Sequence, residues 1–101
     1  MINLPASQLR LPRLTNVEKE NVIAMGFWNK YKYNLEQAEK QKADLTWIRR
    51  RLKDGSINED NLDAALKLES LCKEYAIDYW NKSQEFLAKY NSFEANRKYK
   101  N

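Results

Sequence analysis

The stretch from Leu52 to Glu59 constrains the fold most, because it carries the signals that end one helix and begin another. Gly55 can adopt the left-handed conformation that often follows a helix end, since it has no Cβ to clash. Ser56, followed three residues later by Glu59, fits a capping box at the start of a second helix. Long segments with helical spacing extend on both sides. The sequence therefore predicts an all-α, long antiparallel helical hairpin.

Helix 1 is predicted over about residues 15–53, the bend at residues 54–56 and helix 2 over about 57–97. Thr15 and Glu18 form a second capping box, at the start of helix 1. Gly26 lies inside helix 1 and costs about 1 kcal/mol relative to alanine, so we expect a kink or a short break there. The apolar residues of helix 1 fall within one arc, as an amphipathic helix requires. They are Val17, Ala24, Phe27, Trp28, Tyr31, Leu35, Ala38, Leu45, Ile48 and Leu52.

The inner positions of helix 2 recur every seven residues, which is typical of a helix packed along the full length of another. These positions are Leu62, Ala65, Glu69, Cys72, Ala76, Tyr79, Ser83, Phe86, Tyr90 and Phe93. Antiparallel packing about a bend at residues 54–56 predicts neighbours whose numbers add to about 110. We therefore expect Trp28 beside Trp80, Tyr31 beside Tyr79, Leu45 beside Ala65 and Ile48 beside Leu62.

Residues 1–14 form a separate N-terminal arm. Pro5 and Pro12 restrict it to extended or polyproline-like conformations. Its leucines make it too apolar for a purely solvated tail, so it either folds back along the hairpin or docks into a partner. They are Leu4, Leu9, Leu11 and Leu14.

The apolar surface exceeds what one hairpin can bury, because large side chains also lie outside the inner arcs. These residues are Val22, Tyr33, Trp47, Leu68, Leu71, Tyr75, Ile77 and Trp80. Burial of one large apolar side chain contributes about 1.5–3 kcal/mol, so leaving all of them in water would be a substantial loss. We expect them to contact a partner. The candidates are a second copy that completes a four-helix bundle by dimerisation, a different protein, or a more globular fold broken at Gly26.

Two basic clusters are candidates for contact with nucleic acid or an acidic partner. The bend cluster contains Arg49, Arg50, Arg51 and Lys53. We expect much of its charge to be neutralised by Asp60 and Asp63 at the start of helix 2, with Asp54 and Glu59 as further candidates. The hairpin brings the two chain ends together, where basic and aromatic residues suit phosphate contact and base stacking. That second cluster contains Arg10, Arg13, Arg97, Lys98, Tyr99 and Lys100.

The residue inventory argues against catalysis. The chain has no histidine, the commonest general base, and no glycine-rich loop that could hold a phosphate. Its only cysteine, Cys72, lies on the inner stripe of helix 2, where we expect a small core residue. We therefore expect no enzyme activity, no metal, no cofactor and no small-molecule substrate.

The same inventory bears on location. The longest apolar run, residues 22–28, is far shorter than the roughly 20 residues that span a bilayer. The N-terminus has no compact apolar block of the kind that signal peptides carry. A single cysteine allows no intrachain disulfide, which fits a reducing compartment. We expect a cytoplasmic protein that does not enter a membrane.

The favoured hypothesis is a non-catalytic helical interaction protein, a small adaptor or inhibitor that docks onto a larger protein or nucleoprotein assembly. An RNA- or DNA-binding helical protein that uses the basic chain ends is one alternative. Another comes from residues 90–94, which have the Tyr-x-x-x-Glu spacing of the helical-hairpin substrates of type VII secretion. The chain resembles those proteins in length and outline, although Lys53 stands where they carry tryptophan. That resemblance implies a secreted hairpin.

Overall fold

The computed structural model describes residues 13–100, with side chains as far as residue 97. Helix α1 spans Asn16–Asp54, a short 3-10 turn spans Glu59–Asn61, and helix α2 spans Leu62–Lys100. Each helix has 39 residues and is therefore about 58 Å long. The two helices pack against each other along their length, and the described residues contain no strand. The predicted all-α antiparallel hairpin is confirmed.

The start of α1 forms as the sequence predicts. The Thr15 hydroxyl accepts a hydrogen bond from the Glu18 backbone N–H, and the Glu18 carboxylate accepts one from the Thr15 N–H, each at 3.1 Å. The bond from the Thr15 backbone lowers the pKa of Glu18, because it favours the charged carboxylate. Helix α1 then runs through Gly26 as one α-helix. The short break expected at Gly26 does not occur.

The bend is longer than the sequence suggested. Gly55 has the predicted left-handed conformation, with φ of 75°, and its N–H donates to the Arg51 carbonyl. The Ser56 hydroxyl, however, donates to that same carbonyl at 3.5 Å, so it faces back toward α1. The capping box expected between Ser56 and Glu59 is therefore wrong. Residues 55–58 form the bend, and α2 is preceded by a 3-10 turn.

This longer bend shifts the register between the helices. The contacting pairs have numbers that add to about 118, from 116 for Lys30 with Phe86 to 122 for Lys42 with Trp80, where the sequence suggested about 110. Three of them are Asn21 with Arg97, Trp28 with Tyr90, and Arg49 with Glu69. The shift corresponds to about one turn of each helix. The neighbours predicted from a sum of 110 are therefore wrong, and Trp28 lies against Tyr90 and not Trp80.

A continuous line of buried and half-buried residues, which we call the seam, joins the two helices. In both helices its members are spaced alternately by three and four residues, which is the spacing of a coiled coil. In α1 they are Glu20, Ala24, Phe27, Tyr31, Asn34, Ala38, Gln41, Leu45, Ile48 and Leu52. In α2 they are Ala65, Glu69, Cys72, Ala76, Tyr79, Ser83, Phe86, Tyr90, Phe93 and Arg97. The predicted repeat of α2 is thus confirmed from Ala65 onward, whereas Leu62 and Val17 are exposed.

Most fully buried apolar residues of the seam are small. They are Ala24, Ala38, Ala65, Cys72 and Ala76, and Ile48 is the one large member of the set. Small side chains allow two helices to approach closely. Aromatic rings pack toward the open end of the hairpin, where Phe27 meets Phe93 edge to face with ring centres 6.1 Å apart. The hairpin is held by close packing along a narrow line.

Two polar residues lie in the middle of the seam, Asn34 at 7% exposure and Ser83 at 0%. The Asn34 side-chain amide donates to the Lys30 carbonyl at 2.7 Å, and the Ser83 hydroxyl donates to the Trp80 carbonyl at 2.6 Å. Both polar groups are therefore satisfied within their own helices, which offsets the cost of burying them.

Candidate interaction surfaces

The positions that flank the seam divide the hairpin into two long sides. Each heptad contributes two residues to the seam, the second three positions after the first. In an antiparallel pair of helices, the residues directly after the second seam position of both helices lie on one side of the seam. The residues directly before the first seam position lie on the other side. The contacts agree with this division. The Lys42 ammonium lies 5.4 Å from the ring centre of Trp80, and both residues belong to the first set.

The first set defines the Trp80 side, with outer neighbours included. It contains Glu18, Asn21, Met25, Trp28, Lys32, Leu35, Glu39, Lys42, Thr46, Arg49, Lys53, Asp63, Leu66, Ser70, Lys73, Ile77, Trp80, Gln84, Leu87, Asn91 and Glu94. The second set defines the lysine side in the same way. It contains Asn16, Lys19, Ile23, Gly26, Lys30, Tyr33, Gln37, Lys40, Asp44, Trp47, Arg51, Ala64, Leu68, Leu71, Tyr75, Asp78, Lys82, Glu85, Lys89, Ser92 and Asn96.

Large apolar residues from both helices meet on the Trp80 side. We call the set Met25, Trp28, Leu35, Ile77, Trp80 and Leu87 the Trp80 patch. Because the numbers of contacting residues in α1 and α2 add to about 118, each residue of α2 can be assigned a position along the hairpin, which we call its height. Trp80 lies at the height of Ala38, and Leu87 lies at the height of Tyr31. Met25, Ile77 and Trp80 are exposed, and the other three are half-buried.

The surface of the Trp80 side is concave in two places. An open groove of about 190 Å³ is lined by Lys42, Ala76, Ile77 and Trp80. A wider groove of about 540 Å³ lies nearer the open end of the hairpin. Its lining residues are Asn21, Ala24, Met25, Tyr90, Glu94 and Arg97. Side chains of an opposing helix could enter both grooves.

A second apolar group lies near the bend on the lysine side. We call Trp47, Leu68, Leu71 and Tyr75 the bend patch. Leu71 is half-buried and the other three are exposed. The Arg51 guanidinium lies 4.9 Å from the Trp47 ring centre, a cation–π distance. This patch therefore combines apolar area with a positive group.

Toward the open end, the lysine side is covered by its own ammonium groups. Lys30 and Lys89 lie 5.4 and 5.1 Å from the ring centre of Phe86. Lys82 lies 5.9 Å from that of Tyr79. Long lysine side chains cover apolar rings while their charged ends stay in water. This half of the lysine side is thus polar at its surface.

The structure divides the eight apolar residues that the sequence indicated as a partner surface. Ile77 and Trp80 join the Trp80 patch, and four others form the bend patch. Val22 and Tyr33 are exposed but belong to neither patch. Sequence reasoning missed Met25, Trp28, Leu35 and Leu87 as surface, because Trp28 and Leu35 were counted within the inner arc and Met25 and Leu87 were left unassigned. Their position directly beside the seam was the available signal.

The bend arginines are less neutralised than expected. Arg49 pairs with Glu69, with Nε and Oε2 3.1 Å apart. Among residues 13–97, neither Asp60 nor Asp63 lies within ion-pair distance of a basic group of the bend cluster. The neutralisation expected from Asp60 and Asp63 is therefore wrong. Hydrogen bonds from Ser56, with the positive charges of Arg51 and Arg50, lower the pKa of Asp54. Arg50, Arg51 and Lys53 are exposed.

At the chain ends, Arg97 is bound within the hairpin. Its guanidinium lies 3.1 Å from Glu20 and 3.0 Å from Glu94, and it donates to the Asn21 side chain at 2.8 Å. Arg13 is exposed. Arg10 and the side chains of Lys98, Tyr99 and Lys100 lie outside the described residues. The carboxylates of Glu20 and Glu94 thus offset the positive charge of Arg97, one of the residues predicted to contact nucleic acid or an acidic partner.

Cys72 is buried in the seam, and burial raises the pKa of its thiol, with a further contribution from the negative charge of Asp44. A raised pKa leaves less of the reactive thiolate. In the described part of the chain, no three acidic or cysteine side chains come close enough to hold a metal ion. Over the same residues, no helix is long and apolar enough to cross a bilayer.

Comparison of the chain with protein-family models, with curated proteins and with solved structures gives no significant match.

Proposed function

We propose that this protein is a non-catalytic helical interaction protein, a small adaptor or inhibitor that docks onto a larger assembly. The observation that carries the proposal is that the seam buries few large apolar side chains, whereas the two sides expose several. The seam fully buries one large apolar residue, Ile48, while Trp47, Tyr75, Ile77 and Trp80 are each at least 42% exposed. Contiguous exposed apolar area of this kind commonly marks an interaction site.

The bend patch is the surface that we assign to the protein partner. Its tryptophan and tyrosine belong to the residue types that dominate binding energy at interfaces. Arg51 over Trp47 adds a charge that could pair with an acidic residue of the partner. A partner with an apolar groove and a neighbouring carboxylate fits this chemistry.

Affinity capture from cells that produce the protein tests this assignment. Trp47→Asp should reduce capture of the specific partner by about 30-fold or more, as expected for an interface residue of this type. Ala43→Asp is the matched control, because Ala43 is exposed one turn away on the same helix but lies outside the bend patch. Equal capture by both variants would contradict the proposal.

Nucleic-acid binding is a second proposal, and one observation favours it at the bend. Arg50, Arg51 and Lys53 are exposed beside Trp47, which supplies basic groups next to a ring that could stack on a base. Treating the same lysate with nuclease separates the two proposals. Loss of capture after nuclease treatment, with purified-protein affinity for RNA falling steeply with salt, would favour nucleic acid. Capture that survives nuclease would favour a protein partner.

A further inference from the structure

We infer that the Trp80 patch packs against the Trp80 patch of a second copy, antiparallel, to complete a four-helix bundle. The inference rests on the proposed function, since both depend on exposed apolar area, but it assigns the two patches to different occupants. The second copy covers the Trp80 side, and the bend patch on the opposite side stays free for a partner.

The Trp80 patch has the symmetry that such a pairing needs. A twofold interface uses the same surface on both copies, so the surface must be complementary to itself. Helix α1 contributes Met25, Trp28 and Leu35, and helix α2 contributes Ile77, Trp80 and Leu87. Both helices therefore present an equal share of the patch.

We place the twofold axis in the interface, perpendicular to the helices and at the height of Leu35, because this position brings apolar residues of the two copies together. It sets Leu35 beside Leu35 of the second copy. Since Leu87 lies at the height of Tyr31, it also sets Leu87 opposite the space between Trp80 and Ile77, which lie at the heights of Ala38 and Gln41. Leu87 of the second copy then faces the groove between Lys42, Ile77 and Trp80.

The charges on the Trp80 side favour the antiparallel orientation. Among the described residues, the half toward the bend has Lys42, Arg49, Lys53 and Lys73 against Glu39 and Asp63, a net positive charge, whereas the half toward the open end has Glu18 and Glu94 against Lys32. Antiparallel packing places the basic end of each copy against the acidic end of the other. Parallel packing would oppose like charges, which costs binding energy.

The area of the patch reaches the lower limit for a specific dimer. From Met25 to the height of Ile77, the patch extends about 24 Å along the helices, and two helices are about 20 Å across. Each copy would therefore cover about 500 Å², and the pair about 1,000 Å², the lower bound for a specific interface. The lysine side is less suitable toward the open end, because Lys30, Lys82 and Lys89 already cover its aromatic rings.

Sedimentation equilibrium of the full chain at tens of micromolar tests the inference. The wild type should have twice the 12.1 kDa mass of one chain. Ile77→Lys should raise the dimer Kd by about 30-fold or more. Tyr75→Lys is the matched control, because Tyr75 is 49% exposed and Ile77 50%, two residues apart on opposite sides. It should leave Kd within about threefold.

Spin labels at position 53 test the orientation. In a Cys72→Ala, Lys53→Cys chain, antiparallel packing about Leu35 should separate the two labels by about 54 Å. Parallel packing would bring them within about 25 Å and would overturn the orientation.

A wild-type monomer would overturn the inference, whether the N-terminal arm or solvent covers the patch. So would a dimer that Tyr75→Lys dissociates and Ile77→Lys does not. Circular dichroism of both variants confirms that the helices remain folded. Failure here leaves the proposed function standing, because Trp47→Asp is read out by capture of the partner and not by the mass of the purified protein.

Discussion

The two long sides of this hairpin flank the same seam, yet they present different surfaces to water. On the lysine side, Lys30 and Lys89 reach over Phe86, so much of the aromatic area there is already covered. On the Trp80 side, Lys42 covers part of Trp80 while Ile77 and Met25 stand half in water. The open-end half of the lysine side is thus suited to solvent, and the Trp80 side to contact with another apolar surface.

This difference shows that the residues next to a seam decide what a helical hairpin can bind. The seam itself has alternating threes and fours in both helices and looks alike from either side. Leu35 and Leu87 directly flank it on one side, at positions comparable to those of Gln37 and Lys89 on the other. The identity of these flanking residues, rather than the amphipathic pattern, separates an exposed apolar surface from one that is covered by lysine side chains.

The largest expected effect tests whether the seam, and not either side, holds the hairpin together. Ile48→Ala should lower the free energy of unfolding by about 2–5 kcal/mol, because it leaves a cavity at a residue that is 1% exposed. Trp47→Ala, one residue away but 53% exposed, should change it by about 0.5 kcal/mol or less. Urea titration of both variants at one protein concentration measures the difference. Equal losses would mean that the sides are not free surfaces.

A concentration series sharpens the contrast between the sides. Association stabilises the folded chain by mass action, so Tm should rise with protein concentration. Over a hundredfold range, we expect a rise of about 5–15 °C for the wild type and for Tyr75→Lys. Ile77→Lys, with its lysine on the Trp80 side, should melt at a Tm that barely depends on concentration. Differential scanning calorimetry would show whether the two variants differ.

A smaller effect concerns the ion pairs where the chain ends meet. Arg97→Ala removes contacts to Glu20, Glu94 and Asn21 and should lower the free energy of unfolding by about 1 kcal/mol. Arg49→Ala removes one exposed pair, to Glu69, and should cost about 0.5 kcal/mol or less. Urea titrations at low and high salt would compare the two. A larger loss from Arg49 would indicate that charges on the Trp80 side stabilise the hairpin.

The smallest expected effect is the pH dependence of the helix cap. The pKa of Glu18 is lowered in the folded chain, chiefly by the backbone N–H of Thr15. A lowered pKa contributes stability that is present above the unfolded pKa and is lost as pH falls through the folded pKa. Glu18→Gln should therefore lose less stability than the wild type between about pH 5 and pH 3. Thermal melts at both pH values would test this, and equal losses would contradict it.

Local signals in the sequence were enough to predict the hairpin. Gly55 marked the end of α1, Thr15 and Glu18 marked its start, and the seven-residue repeat of α2 predicted one packed stripe. The register was not predictable from those signals. Ser56 and Glu59 match a capping box, but the Ser56 hydroxyl binds the Arg51 carbonyl and α2 begins later. A difference of a few residues in the bend displaced every predicted neighbour by about one helical turn.

The candidate surface was predictable only in part, for a related reason. An apolar arc cannot identify Glu20, Asn34 and Gln41 as seam positions, because it considers only apolar residues. Without them, Trp28 and Leu35 were taken as interior, although they lie beside the seam on the Trp80 side. Ile77 and Trp80 were recognised as surplus because the seven-residue repeat of α2 defined its inner positions and left both outside them. Dividing the surplus apolar residues into the Trp80 patch and the bend patch required the register between the two helices, which the sequence did not predict.

The three tryptophans allow a direct test of the central claim that a second hairpin covers the Trp80 side and leaves the lysine side open. In one hairpin, Trp80 is 42% exposed and Trp47 53% exposed. A soluble paramagnetic agent should therefore broaden their indole N–H signals similarly in a monomer. In the full chain at tens of micromolar, we expect the Trp47 signal to broaden and the Trp80 signal to stay sharp. Equal broadening of the two, or protection of Trp47 alone, would contradict the claim.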